Sequence, residues 1–323
     1  MYPDIASFDR CSILVVGDLM IDEYVRGDVE RISPEAPVQI VSVIDDYYTL
    51  GGAGNVVNNL VALGAKVSVA GVAGKGNDGK RLLKLFHQLG VNTDAIIQES
   101  GRPTTIKTRI IAANQHVLRI DRETRKEISD RTREMILQFL QVKIPEADVV
   151  LISDYGKGLI SGILLSKVTQ LARASGKITI ADPKGLNFSK YTGVTLLTPN
   201  KKEAALACGM EIVDELSLNK AGEKILNAVP LNHLLITCGQ DGMVYFKKNA
   251  KPYKIKAQAR QVFDVSGAGD TVLAVLALAV ASGASFEAGA ELANTAAGIV
   301  VGKVGTATVS KDELTCALGL VQK

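Results

Sequence analysis

The sequence predicts an α/β fold, a doubly wound, mostly parallel sheet flanked by helices, with a small β-sheet laid over it as a lid. Short apolar runs recur along the chain, each followed by an amphipathic helical stretch, as strands buried on both faces require. Two stretches of alternating polarity break this rhythm and fit a second, half-exposed sheet. With 47% apolar and 22% charged residues, and a mean hydropathy of +0.17, the chain can bury a sizeable core, which excludes disordered and fibrous classes. Open α/β domains commonly reach 323 residues, so positions 1–323 are expected to form one unit.

In chain order, Ser12 to Val16 reads as the first strand and Tyr24 to Val43 as the first alternating stretch. A helix over Gly54 to Leu63, a strand over Lys66 to Val72 and a helix over Gly79 to Leu89 follow. The second alternating stretch runs from Thr104 to Ile120, so the lid insertions fall roughly at 20–46 and 102–122. Helical patterns over Ser129 to Leu140 and Gly162 to Ala174 then separate strands at Val149 to Ile152 and Ile178 to Ala181. Val194 to Leu197 and His233 to Thr237 are further strands, and Ala268 to Ala281 is an apolar helix. No repeat or Pro-rich linker marks a second domain.

Thirty-seven basic against 34 acidic residues leave a net charge of +3, and the densest basic clusters are pairs such as Lys201-Lys202 and Lys247-Lys248. Neither a nucleic-acid nor a membrane partner is expected. The longest apolar run, Val272 to Ala281, is well short of the roughly 20 residues that cross a bilayer. No basic start followed by an apolar stretch is visible, so a cytoplasmic location is expected. Cys11, Cys208, Cys238 and Cys316 lie far apart, and His87, His116 and His233 form no ligand pattern, which argues against zinc and disulfides.

The strongest chemical signal is Asp264-Val-Ser-Gly-Ala-Gly-Asp-Thr271, directly before the apolar helix. A Gly-Ala-Gly turn opening a helix aims amides and the positive end of the helix dipole at one point, a site for phosphate. Asp270 would repel that phosphate unless it takes a proton from an attacking hydroxyl. The competing reading is an ordinary Gly-rich helix start. Gly51-Gly-Ala-Gly-Asn55 opens another helix and fits either a ligand approach or a packing turn.

Gly74-Lys-Gly-Asn-Asp-Gly79 matches the dinucleotide fingerprint but lacks a convincing acidic partner downstream, and Arg81 stands where a Walker A loop needs Ser or Thr. Asn200 and Glu203, in Thr198-Pro-Asn-Lys-Lys-Glu203, fit a capping box and equally a pair organising hydrated magnesium. Asp154, Lys157, Asp182 and Lys184 sit at or just past strand ends, where doubly wound folds bind ligands.

Together, Gly51 to Asn55 and Asp264 to Thr271, in this order and with these flanking helices, resemble the two signatures of the ribokinase-like, phosphofructokinase-B-type carbohydrate kinases. Within that family Arg31 to Val38, Ser153 to Gly158, Asp182 to Gly185, Leu197 to Asn200 and Val300 to Thr306 resemble the heptose 7-phosphate kinases that supply ADP-heptose for lipopolysaccharide. The resemblance implies Asp270 as base for the anomeric hydroxyl and the amides of Gly267, Ala268 and Gly269 as anion hole. It implies that Asn200, Lys201, Lys202 and Glu203 contact ATP and its Mg2+, with Thr237, Gly239, Gly242 and Asn294 near the nucleotide. Asp18, Asp22, Gly52, Asn55 and Asp154 match positions that hold sugar hydroxyls.

The family match alone does not assign the distal phosphate; Lys107, Arg109, Arg119, Lys157 and Lys184 are candidates because a dianion needs fixed cations. The resemblance leaves room for a monovalent cation near Asp264 and for homodimers paired through the lid. Ser266 stands where relatives often have Thr. Some members of this branch are fused to a nucleotidyltransferase with an H-x-G-H motif. Three scattered histidines supply none here, so that step is expected in a separate domain or chain.

Overall fold

The computed structural model describes residues 4–113, 115–258 and 262–319, and only the backbone of Glu30. The first half of the chain runs β1 (Ser12–Gly17), β2 (Leu19–Ile32), β3 (Gln39–Gly52), α1 (Ala53–Ala62), β4 (Lys66–Gly74), α2 (Asn77–Gln88), β5 (Ile96–Glu99), β6 (Thr105–Ala112), β7 (Gln115–Arg122) and α3 (Asp130–Glu146). The second runs β8 (Val149–Ser153), α4 (Gly162–Ala174), β9 (Ile178–Asp182), β10 (Leu196–Leu197), α5 (Lys201–Cys208), α6 (Glu215–Ala228), β11 (His233–Thr237), β12 (Met243–Lys247), β13 (Tyr253–Ile255), α7 (Ala268–Ala281), α8 (Phe286–Val300) and α9 (Lys311–Ala317).

Among the described residues the large sheet has the order β13-β12-β11-β10-β9-β8-β1-β4-β5. It is parallel except at β12 and β13, which pair antiparallel at one edge. The apolar runs are continuous because the sheet is covered on both faces. Ile13 and Val15 of β1 pack with α1, α7 and α8, while Leu14 and Val16 pack with α3, α4 and α6. From β1 the chain winds outward to β4 and β5, then crosses back to β8, β9, β10 and β11 on the other side. The reversal opens a crevice between β1 and β8 at the carboxyl ends of the strands. Asp18, Asp154, Asp182, Asn200 and Thr237 all lie at or just past those ends.

The first lid insertion, expected at roughly 20–46, runs from Leu19 to Gly52, and two further elements differ in extent. The run Val194 to Leu197 yields only Leu196–Leu197 as strand; just before it the Thr195 amide donates to the Thr179 carbonyl at 3.0 Å, and the Thr179 and Thr195 hydroxyls each accept the other residue's amide, at 2.9 and 3.1 Å. The helix expected to stop at Leu140 continues to Glu146, since Ile144 extends the buried stripe of Ile136 and Leu140 at four-residue spacing.

The small sheet has the order β3-β2-β6-β7, two antiparallel hairpins joined by a parallel β2–β6 pair. Register sorts its side chains onto two faces. Tyr24, Arg109 and Arg119 align, as do Asp22, Lys107 and Asp121, which gives one polar face. Val25, Ile110 and Leu118 align on the opposite face with Ile120, and there Leu118 and Ile120 are exposed.

Candidate active site

The Gly267 to Asp270 turn is shaped by Gly267 at the N-cap of α7, where φ is +78°. Any Cβ there would stand 2.6 Å from Asn55 Nδ2, so both the backbone and the neighbour require glycine. The amides of Ala268, Gly269 and Asp270 belong to the first helical turn, where Ala268 N donates to the Val265 carbonyl at 3.3 Å and those of Gly269 and Asp270 have no partner further back within the helix. Gly269 faces open space, where a Cβ would meet nothing within 4 Å. This is the geometry of an anion-binding helix start.

Asp270 follows in the same turn, only 6% exposed. Asn55 Nδ2 donates to its Oδ2 at 2.8 Å and the Tyr155 hydroxyl to its Oδ1 at 2.7 Å. Asn55 is held in turn, because Asn59 Nδ2 donates to its carbonyl at 2.9 Å and the Thr271 hydroxyl donates to Asn59 Oδ1 at 3.0 Å. α1 and α7 thus fix the two residues together. Burial pushes the Asp270 carboxyl up to about 6; the two donors oppose the rise and the charge of Asp22 adds to it. A carboxyl poised near neutrality is suited to accept a proton.

A cavity of about 190 Å³ adjoins this point, lined by Asp154, Tyr155, Asp182, Lys184, Asn200, Glu203, Thr237 and Gly269 among others. Asn200 caps α5 by accepting the Glu203 amide at 2.9 Å, and Glu203 Oε2 accepts the Asn200 amide at 3.1 Å, so the capping box is formed. Both side chains also border the cavity, and Glu203 Oε1 pairs with Lys184 Nζ at 2.7 Å. Desolvation, with the charges of Glu203 and Asp270, holds Asp182 well above the usual carboxylate range. Lys201 lines a separate cavity of about 220 Å³ with Cys238 and Asp241, whereas Lys202 is exposed. Gly239 and Gly242 shape the turn between β11 and β12, where the Cys238 amide donates to the Gly242 carbonyl at 2.8 Å. Asn294, buried on α8, spends its amide on the Lys256 carbonyl at 2.8 Å.

On the lid side, Asp22 accepts Arg109 Nη1 at 2.7 Å, and the guanidinium lies 5.3 Å over the Tyr24 ring. Gly52 caps α1 at φ +56°, where a Cβ would strike Met20 Cε at 2.5 Å. Asp264 is partly desolvated, but amides of Ser266 and Gly305, at 2.8 and 3.0 Å, outweigh this and hold its pKa low.

Asp18, expected to hold a sugar hydroxyl, accepts the amides of Tyr155, Lys157 and Leu159 at 2.9, 3.0 and 3.3 Å and so anchors their loop. Asp154, expected in the same role, lines the cavity and accepts from Gly156 N, Lys190 Nζ and the Tyr191 hydroxyl at 2.7, 2.5 and 2.6 Å. The five phosphate candidates are each paired with an acid. Lys107 and Arg119 meet Asp121 at 3.1 and 2.9 Å, and Lys157 meets Glu123 at 2.6 Å. Arg109 and Lys184 have Asp22 and Glu203. Sequence reasoning missed Tyr155 altogether; its only signal is its place in the strand-end loop beside Asp154.

Residues 11–313 match the model of the pfkB family of carbohydrate kinases. A bifunctional protein HldE of Desulfatibacillum aliphaticivorans is 55% identical over 98% of this chain and 64% of its own length. Its counterpart in Trichlorobacter lovleyi is 50% identical over 97% and 64%. The chain therefore spans just under two-thirds of these relatives. Among solved structures, an Arabidopsis thaliana ribokinase complexed with ribose and ATP superposes with a TM-score of 0.76 at 21% identity, covering 98% of this chain and 99% of that one. Escherichia coli phosphofructokinase-2 in complex with potassium gives 0.77 at 17%, covering 96% and 98%. With the sheet, the lid and the glycine-built helix start in place, the match over residues 11–313 shows that this chain belongs to the pfkB family of carbohydrate kinases.

Proposed function

We propose that the chain transfers the γ-phosphoryl group of ATP to O1 of D-glycero-β-D-manno-heptose 7-phosphate, giving the 1,7-bisphosphate for ADP-heptose and lipopolysaccharide synthesis. The observation carrying the chemistry is a buried, near-neutral carboxyl, Asp270, one residue beyond the amide cluster at Gly267 to Gly269. Asp270 takes the proton of the acceptor hydroxyl as its oxygen attacks phosphorus, and the helix-start amides stabilise charge on the transferring group. The lid face bearing Asp22 and Arg109 covers the acceptor and excludes water. The choice of sugar rests on the resemblance of Arg31 to Val38 and the other quoted segments, together with identities of 50% and 55% to the bifunctional relatives.

The acid-lined cavity fits Mg2+, because Asp154, Asp182 and Glu203 line it and a divalent cation there would offset the desolvation and charge crowding that raise Asp182. Asn200 and Glu203 would hold the ion through water, where it neutralises phosphate charge. The adenylyl transfer that follows is assigned to a separate nucleotidyltransferase domain or chain. No described helix is long and apolar enough to cross a membrane; the proposed site of action is the cytoplasm, where ATP is made.

One observation favours a second reading, a family kinase for a neutral sugar: every cation proposed for the distal phosphate already has an acidic partner. A coupled assay of ATP consumption with heptose 7-phosphate, fructose 6-phosphate and ribose separates the two. The proposal expects kcat/KM for the heptose phosphate to exceed that for ribose by roughly 10² or more, the worth of two charge-assisted hydrogen bonds to phosphate. Preference for ribose would leave the kinase and remove the substrate.

Exposed Leu118 and Ile120, on the lid face turned from the site, support pairing of two subunits through that sheet. Leu118→Glu is expected to convert a dimer to a monomer in analytical ultracentrifugation. A parent chain that sediments as a monomer rules the pairing out.

A further inference from the structure

We propose that Tyr155 is a positioning residue for the base: its phenol holds Asp270 Oδ1 so that the carboxylate presents its remaining lone pair to the acceptor hydroxyl. The inference rests on the reading of Asp270 as the base. An aspartate's terminal torsion is broad and roughly two-fold, so a carboxylate tied at one oxygen still rocks. Here both oxygens are tied, Oδ2 by Asn55 at 2.8 Å and Oδ1 by Tyr155 at 2.7 Å. Each oxygen has two acceptor sites, and each donor fills one, which leaves the base free to accept but fixed in aim.

The loop bearing Tyr155 is itself anchored from several directions. Asp18 accepts the amides on either side of Gly156, from Tyr155 at 2.9 Å and Lys157 at 3.0 Å. Lys157 Nζ reaches Glu123 beyond the end of β7 at 2.6 Å. Asp154, one residue before the tyrosine, is clamped by Lys190 and Tyr191 at 2.5 and 2.6 Å. These anchors fix the backbone from which the phenol projects. Tyr155 also lines the cavity shared by Gly269, Asn200 and Glu203, and its hydroxyl links that cavity to Asp270.

Desolvation and the charge of Asp270 hold the Tyr155 phenol well above its usual pKa, so it remains a donor across the working range. The charged and titratable groups facing this pair are Asp22 on β2, with Arg109 of β6 attached to it, and Asp182 on β9. The charge of Asp22 disfavours a second negative charge on Asp270, and the Tyr155 and Asn55 donors favour the ionised base. Removing the phenol removes part of that support.

The test is the pH profile of kcat/KM for the intact chain, with ATP and whichever sugar of the assay above is turned over. Tyr155→Phe is expected to move the acidic limb up by about one pH unit, the size of one hydrogen bond to a charged group. 3-Fluorotyrosine at position 155 keeps the shape, strengthens the donor and is expected to move the limb down. In an Asp270→Asn background, Tyr155→Phe is expected to change the residual rate less than about two-fold, as coupled residues do. A limb unmoved by both replacements, or a full Tyr155→Phe loss retained in the Asp270→Asn background, overturns the positioning role. Should Tyr155→Phe fail to fold, the fluorinated chain alone decides. Turnover by Asp270→Asn near that of the parent would instead sink the base itself.

Discussion

Asp270→Asn is expected to lower kcat by roughly 10²–10⁴, the contribution of a general base, with the ATP dissociation constant changed by less than about three-fold. The amide keeps the side chain's shape and can still accept from Tyr155, but it cannot take a proton. In the proposed mode ATP would meet the helix-start amides and the Asn200 to Glu203 edge, which the substitution leaves in place. In the parent, kcat/KM should fall as pH drops through about 6, where the buried carboxyl becomes protonated.

Stability follows the opposite sign. A carboxyl raised from 3.8 to about 6 stabilises the fold while protonated, and that contribution fades as pH rises from the lower value through 6, at a cost of about 3 kcal/mol. Above that pH the parent carries a buried charge that the Asp270→Asn variant lacks. The variant should therefore melt no lower than the parent at pH 8, even though Asn55 must turn its amide to suit the new partner. Isothermal titration with ATP, single-turnover rates and melting curves check the three statements. A variant that turns over within a few-fold of the parent would remove Asp270 from the chemistry.

Local pattern and distant partnership differed in how far the sequence exposed them. β1, β4, β8, β9 and β11 were visible because strands buried on both faces write themselves as unbroken apolar runs. The helix start at Gly267 was visible because a left-handed N-cap and close approach leave glycine little competition. β12 and β13 were not anticipated; β13 is a three-residue edge strand, and β12 follows β11 across a tight turn at Gly239 and Gly242 with no α-helix between them. The site shows the same division. That Asp154, Asn200 and Asp270 lie near strand ends or helix starts followed from spacing, whereas Asp18 came only with the family resemblance. What each carboxylate binds did not, because the partners are remote: Asp18 meets Tyr155 across 137 residues, and Tyr155 meets Asp270 across 115. A lysine or arginine in a lid strand likewise advertises its charge but not its acid, and each proposed cation proved to have one.

Gly267→Ala is expected to cost roughly 10²–10³ in kcat, as the loss of one oxyanion-hole donor does, together with a measurable fall in Tm. Two independent constraints meet at this position. The backbone sits at φ +78°, where an L side chain costs about 1–2 kcal/mol. The added Cβ would also lie 2.6 Å from Asn55 Nδ2, the atom that donates to Asp270 Oδ2. Asn55 has nowhere to retreat, since it is buried and Asn59, tied to Thr271, holds its carbonyl. The turn must therefore tilt, which misaims the amides, or Asn55 must leave the base, which lets its pKa rise above 6. Either way the rate falls near neutral pH, and raising the pH recovers it only in the second case. Gly269→Ala is the contrasting variant. Its Cβ meets nothing within 4 Å and enters the cavity from a helical residue, so the fold should hold while KM for ATP rises. Gly267→Ala with parental kcat and Tm would mean that the nest of amides and Asn55 do not share one rigid geometry, and the arrangement of base and anion site around that glycine would have to be abandoned.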